Sequence, residues 1–267
     1  MRLAAHLGIS DPQAPMLAAT AGSADPVAQI ECAARLGFAG ITDNALKVRP
    51  PEVQRRMGEA LRAHGLEMGT FTHNVMAAEP PFFWGAPIMD MDAAMAGTLA
   101  AAERIGGGCI NAILLDCGAA LEEQLARAAD NLAAATALAS AHGVTLAVEA
   151  ASRTRVPLAL VEQVADVAAV ARAAGAGLIL DSCHCHCTGE DMAAAIIAHA
   201  DMLAAVQIAD MPGRIEPGEG VIDFTPILAA LRAIGWNGLV EAELMPARPG
   251  RAGEAAAVAA LRVLALH

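Results

Sequence analysis

Eight short apolar runs, each followed by an alanine- and leucine-rich stretch of helical period, recur from one end of this chain to the other. The runs fall at residues 2–9, 40–43, 67–73, 109–114, 145–149, 177–181, 204–208 and 238–243. The helical stretches fall near 26–36, 51–64, 90–105, 119–142, 158–174, 190–199, 225–234 and 252–265. Alternation of this kind builds a parallel sheet wrapped by helices. Eight such units in 267 residues predict the α/β class and a single (β/α)8 TIM barrel, one domain spanning 1–267. An open doubly wound sheet is the rival, but no G-x-G-x-x-G turn follows the first run. Local punctuation agrees. Asp25 ahead of Pro26 reads as a helix N-cap with proline at the first helical position. Gly37, Gly65, Gly143 and Gly235 each close a helical stretch.

A parallel barrel keeps its chemistry at the C-terminal ends of its strands, and here those ends are polar. His73 closes the third run, Glu149 the fifth, Asp181 the sixth, Gln207 with Asp210 the seventh and Glu243 the eighth. Three carboxylates and an amide oxygen converging on one point form the all-oxygen set that a hard divalent cation such as Mg²⁺ or Mn²⁺ prefers. Glu149 and Glu243, facing each other across such a cation, can ligate it and also exchange protons with a substrate. Glu241 shares a face with Glu243 by the period of two. Glu243 is preferred because it lies nearer the strand end, which leaves Glu241 as a carboxylate of the inner barrel layer.

Around that centre, His184 follows Asp181 by three residues and can bind a substrate oxygen or hold a ligand. Arg214, after Pro212-Gly213, offers a rigid fork for a substrate carboxylate or vicinal hydroxyls, unless it merely pairs with Glu216. The loop Glu79-Pro80-Pro81-Phe82-Phe83-Trp84 gathers three of the chain's seven aromatic residues. That suits either a hydrophobic cover over a small ligand or a subunit contact, so a homo-oligomer is left open. His6, His64, His142, His199 and His267 read as helix-end or terminal residues, and His186 carries only a weak signal.

Charge and cysteine usage exclude some functions. With 17 basic against 29 acidic residues and a net charge of −12, the chain has no basic face for a phosphate backbone, so nucleic acid is not an expected partner. No apolar run reaches the length of a membrane span. The amino terminus lacks the long apolar region of a signal peptide, so the expected location is cytoplasmic, with reduced thiols. Cys183-His184-Cys185-His186-Cys187 invites a zinc reading. Structural zinc sites space their ligand pairs by two to four residues, however, and strict alternation on an extended segment would point neighbours apart.

The segments Leu180-Asp181-Ser182-Cys183-His184, Val206-Gln207-Ile208-Ala209-Asp210 with Pro212-Gly213-Arg214, and Glu216-Pro217-Gly218 through Asp223-Phe224 carry a resemblance. So do His73-Asn74 and Gly235-Trp236-Asn237-Gly238 through Glu243. On these residues the chain resembles the xylose isomerase-like TIM-barrel superfamily, and within it the hydroxypyruvate isomerase group. The likeness covers residues 25–265 in layout and is specific from residue 145 onward. It implies Glu149, Asp181, Gln207 and Glu243 as ligands of one divalent metal ion, Mg²⁺ or Mn²⁺ first, with Zn²⁺ or Co²⁺ as alternatives. It also implies Glu149 and Glu243 as the acid/base pair of an enediolate reaction, with His73, His184 and Arg214 on the substrate. Glutamine at Gln207, rather than histidine, matches the hydroxypyruvate isomerase branch. Cys183, Leu244, Ala150 and Asp43 depart from the pattern, standing where an aromatic residue, tyrosine, proline and glutamate are usual. The centre is thus retained and the rim altered.

The expected activity is isomerisation of a sugar or hydroxy-oxo-acid, hydroxypyruvate to tartronate semialdehyde foremost. A ketose 3-epimerase or an inosose-type dehydratase on the same metal centre is the alternative within the class. A non-catalytic binding protein on a decayed barrel is the alternative outside it. An apurinic endonuclease would need more histidines at strand ends and a basic face.

Overall fold

The computed structural model describes residues 1–266; the terminal His267 lies outside the described residues. Eight parallel strands are present among the described residues. They are β1 (Arg2–His6), β2 (Gly40–Thr42), β3 in two pieces (Glu67–Met68 and Thr70–Thr72), β4 (Cys109–Ile113), β5 (Thr145–Glu149), β6 (Gly177–Asp181), β7 (Leu203–Ile208) and β8 (Leu239–Ala242). The sheet order runs from the first piece of β3 through β2, β1, β8, β7, β6, β5 and β4 to the second piece of β3. A sheet that begins and ends on one strand is closed, so the chain forms the expected (β/α)8 barrel.

The break in β3 falls at Gly69, whose N–H still donates to Ile41 O (2.8 Å) and whose carbonyl accepts from Cys109 N–H (3.0 Å). The ladder therefore crosses the break. A Cβ on Gly69 would lie 2.4 Å from Glu241 Oε1, so this backbone approaches an inner carboxylate too closely for any side chain.

Strand alternation sorts the side chains. Leu146, Val148, Leu178, Leu180, Val206 and Ile208 belong to the main core between sheet and helices, whereas Ala147, Ile179 and Ala205 form a separate small cluster on the barrel axis. Two residues further along the same inward face come Glu149, Asp181 and Gln207. Small residues low on the axis thus leave the C-terminal end of the barrel to polar ones.

Helices Pro26–Arg35, Pro51–His64, Met91–Ile105, Leu121–Ala141, Val164–Ala173, Met192–Ala198, Phe224–Ala233 and Gly250–Leu266 cover the outside. Asp25 accepts from Ala28 N–H as the expected N-cap, and Gly65 closes its helix in the left-handed conformation. The helix expected over 158–174 starts only at Val164, because the preceding residues bridge back to Leu115 and hold Arg153. No helix among the described residues is long and apolar enough to cross a membrane.

Candidate active site

A cavity of about 430 Å³ opens at the C-terminal end of the strands. Glu149, His184, Arg214, Glu243 and Asn111 line its polar part, and Ile9, Val48, Val75, Met76, Ile113 and Val156 line its apolar walls. Glu149, His184, Arg214 and Glu243 are each held from at least two directions.

Glu149, at the end of β5, receives Asn111 Nδ2–H on Oε2 and lies 3.2 Å from His184 Nε2 through Oε1. Burial pushes its carboxyl up, but the bond and charge of His184, with Asn111 and Arg214, outweigh this and hold it below the usual carboxylate range. His184 Nδ1 sits 3.0 Å from Ser152 N–H and 3.1 Å from Ser152 Oγ. Burial pushes this imidazole down, yet Glu149 and Asp181 more than offset it, so its pKa is raised. The backbone N–H of Ser152 nevertheless demands a lone pair on Nδ1. The geometry therefore selects the neutral ring with its proton on Nε2, directed at Glu149.

Asp181 ends β6 and at once caps the short helix Ser182–Thr188, its Oδ1 accepting from Cys183 N–H (2.6 Å) and His184 N–H (3.2 Å). Its Oδ2 lies 2.6 Å from Arg214 Nη2, and the same nitrogen lies 3.0 Å from Glu243 Oε1. Arg214 Nε donates to Glu243 O (2.9 Å), with the arginine in the left-handed region at φ 57°. Asn44 Nδ2 donates to Glu243 Oε1 as well (3.2 Å). Burial raises the Glu243 carboxyl to about 7, against the pull of Arg214.

Glu149, Asp181 and His184 each offer a ligand atom within 4.8 Å of the others, a spacing that can hold a divalent metal. His184 has both nitrogens committed, however, and so fits the role of orienting Glu149. The buried side-chain oxygens without a hydrogen-bond partner include Asn111 Oδ1, Gln207 Oε1 and Glu243 Oε2, all from the C-terminal end of the barrel. The amide nitrogen of Gln207 is turned away to Thr70 Oγ1 (3.1 Å) and Glu241 Oε2 (3.3 Å). Buried oxygens left without donors are costly unless a cation satisfies them. The donor set therefore fits a hard divalent ion.

Several expected site residues lie elsewhere. His73 is buried beside the cavity, bonded through Nδ1 to Thr98 Oγ1 (2.9 Å) and packed against Phe82 and Trp84 at 4.4 and 5.1 Å between ring centres. The aromatic loop thus covers His73 and the core, not the ligand cavity; residues 75–78 line the cavity instead. Arg214 pairs with Asp181 and Glu243 and not with Glu216, which accepts from Ala247 N–H (2.7 Å). Glu241 is the inner-layer carboxylate, receiving Thr70 N–H (2.9 Å) and Thr70 Oγ1–H (2.6 Å). The Cys183–Cys187 run is helical, not extended, and Cys183 and Cys185 are buried free thiols in the core. Asn111, Asn44 and Ser152 join the site without a role expected from the sequence. Of these only Asn111, a polar residue inside an apolar run, left a signal there.

Asp210, close to Gln207 in sequence, serves the following loop. It accepts from the backbone N–H of Met211 (2.8 Å), Gly218, Gly220 and Ile222 (2.9 Å each). Loss of charged acceptors costs about 3 kcal/mol where the donors stay buried. We expect Asp210→Ala to lower stability by that order in urea titration and to open residues 211–222 to proteolysis. Unchanged stability would remove Asp210 as the loop's anchor.

Burial pushes His6 and His73 each down to about 4. Unfolded histidine titrates near pH 6.5, so between about 6.5 and 4 the unfolded chain binds more protons and each ring costs stability as pH falls. Glu241 and Glu243, raised to about 7, act with the opposite sign. The readout is therefore the difference between wild type and His73→Gln in metal-free protein. The stability advantage of wild type should shrink by on the order of 2 kcal/mol from pH 7 to pH 5; a constant difference would mean that His73 takes up its proton as readily when folded as when unfolded.

Comparison with known proteins follows the same lines. A family model described as xylose isomerase-like TIM barrel matches residues 30–266. A Streptomyces coelicolor protein named "Putative hydroxypyruvate isomerase" is 37% identical over 131 residues, 46% of this chain and 47% of that protein. An inosose isomerase of Bacillus velezensis is 27% identical over 135 residues, 46% of this chain and 48% of its own. These alignments span about half the length of the relatives. The D-psicose 3-epimerase of Clostridium cellulolyticum H10, solved with D-tagatose, superposes with a TM-score of 0.79 at 18% identity, covering 100% of this chain and 99% of that one. At that identity the likeness is one of fold.

Proposed function

The chain belongs to the xylose isomerase-like TIM-barrel family, and on that premise we propose that it is a divalent-metal-dependent isomerase of a small hydroxy-oxo-acid or sugar, with hydroxypyruvate to tartronate semialdehyde as the specific reaction. The observation that carries this reading is the pair Glu149 and Glu243, two buried carboxylates that line one cavity and are oriented by separate partners. Asp181 and Gln207 complete a four-oxygen donor set with them.

A divalent cation held by Glu149, Asp181, Gln207 and Glu243, Mg²⁺ or Mn²⁺ by the hardness of those oxygens, would polarise the substrate carbonyl and offset charge on the enediolate oxygens. The protein's own groups move the protons. One glutamate takes a proton from the hydroxymethyl carbon, and a glutamate returns one to the former carbonyl carbon. The hydroxyl proton passes from one substrate oxygen to the other, so the net change is isomerisation with no redox partner. His184 keeps Glu149 aligned through its Nε2–H, while Arg214 and Asn44 keep Glu243 aligned through Oε1. Glu243 Oε2 is left free of protein donors for this task. Ile9, Val48, Val75, Met76, Ile113 and Val156 give the cavity apolar walls beside the pair.

A ketose 3-epimerase or inosose-type dehydratase would use the same pair. Deuterium entry followed by NMR separates them: isomerisation leaves label on the former carbonyl carbon of the product, and epimerisation leaves it on the inverted carbon of a retained ketose. Tight metal binding with no exchange from hydroxypyruvate or a ketose panel would reject this reading of the substrate. Failure to bind any divalent metal would favour the non-catalytic alternative.

A further inference from the structure

Arg214 spends Nε on Glu243 O and Nη2 on Asp181 and Glu243, so it has no free pair of N–H groups to fork a substrate carboxylate. Another guanidinium has one. Arg155 is exposed and lines the same cavity as Glu149, His184 and Glu243. Its side chain makes no ion pair or hydrogen bond with the described residues. Its neighbour Arg153, by contrast, is bound to Glu162 (2.8 Å) and to the carbonyls of Ala159 and Leu160.

The backbone around Arg155 is fixed. Arg155 N–H and Val156 N–H both donate to Ser152 O (3.0 and 2.8 Å), and Ser152 is the residue that holds His184. One turn therefore anchors an orienting contact of the catalytic pair and an uncommitted cation on the cavity. Three carboxylates approach this site, and the one arginine among them is already paired. An anionic substrate entering it needs positive charge beyond that, and a planar guanidinium matches a carboxylate with two parallel hydrogen bonds. A neutral sugar has no use for it.

We propose that Arg155 is the substrate-carboxylate receptor, and that the substrate is a hydroxy-oxo-acid and not a neutral ketose. This rests on the isomerase reading for the reaction but not for the binding of the anion.

The test pairs compounds that differ in a carboxylate. Hydroxypyruvate and dihydroxyacetone are compared for deuterium exchange, and glycerate and glycerol for binding by calorimetry, in metal-loaded wild type, Arg155→Gln and Arg155→Lys. A charge-assisted carboxylate contact is worth a factor of about 10 to 100 in binding. The preference for hydroxypyruvate over dihydroxyacetone should fall by that factor in Arg155→Gln, mainly through KM, and glycerate should weaken in parallel. Arg155→Lys, which keeps the charge and loses the fork, should fall between. Glycerate binding and acid preference unchanged in Arg155→Gln would overturn the proposal. Arg155-dependent glycerate binding without exchange from either substrate would keep the anion site and reject the isomerase reading alone.

Discussion

Glu243→Gln is expected to lower the rate of deuterium exchange by a factor of about 10²–10⁴, the range for removing a general acid or base. The substitution is nearly isosteric. Oε1 keeps its role as acceptor for Asn44 and for Arg214 Nη2, so the barrel end should hold its shape. What changes is the unpartnered oxygen, Oε2, which becomes an amide nitrogen that can neither ligate a cation nor accept and return a proton. Because Glu243 would serve as both ligand and acid/base, two readouts are needed. Calorimetry gives metal affinity and NMR gives exchange at saturating metal. Weakened metal binding with exchange restored at high metal would make Glu243 a ligand only. Exchange that stays low with metal bound assigns it the proton transfer. Exchange equal to wild type would sink the acid/base assignment. Glu149→Gln should behave alike, with the added loss of the acceptor that His184 Nε2 meets at 3.2 Å.

The parts that were legible in the sequence were those in which local chemistry and global fold point the same way. β5 and β6 have the expected bounds because their carboxylates mark the point where an apolar strand reaches the polar end of the barrel. The break in β3 was not legible, since a glycine in an apolar run looks the same whether it packs loosely or must admit Glu241 Oε1. The Cys183–Cys187 segment misled for a related reason. Alternating cysteine and histidine mimics an extended segment, but Asp181 caps a helix with no intervening loop, and backbone hydrogen bonds decide over side-chain alternation. Asp210 closes the same run as Gln207, and only the return of the chain at residues 218–222 reveals that it serves the loop. Arg155 was invisible because its meaning lies in what it does not touch.

Removing the charge of Arg214 should produce the largest stability change in the metal-free protein. Its Nη2 lies 2.6 Å from Asp181 and 3.0 Å from Glu243, and all three side chains are buried. Burial works against the guanidinium charge, but Asp181, Glu243 and Glu149 more than offset it, and the pKa rises. Deleting one partner of a buried charge cluster costs about 3–5 kcal/mol, because the remaining charges stay desolvated. Arg214→Met should therefore fall by that amount in urea titration, with Arg214→Lys losing less. The sign with pH follows from the carboxylates. Glu243 sits near 7 even beside Arg214; without it the group protonates more readily when folded, so the loss is smaller at pH 6 than at pH 8. A divalent ion bound to the same carboxylates would supply the missing charge and stabilise the folded state by mass action. The gap between wild type and Arg214→Met should narrow as Mg²⁺ or Mn²⁺ is raised. A gap that ignores metal would separate the carboxylates held by Arg214 from the metal site, and no gap in metal-free protein would mean that Asp181 and Glu243 do not depend on this arginine at all.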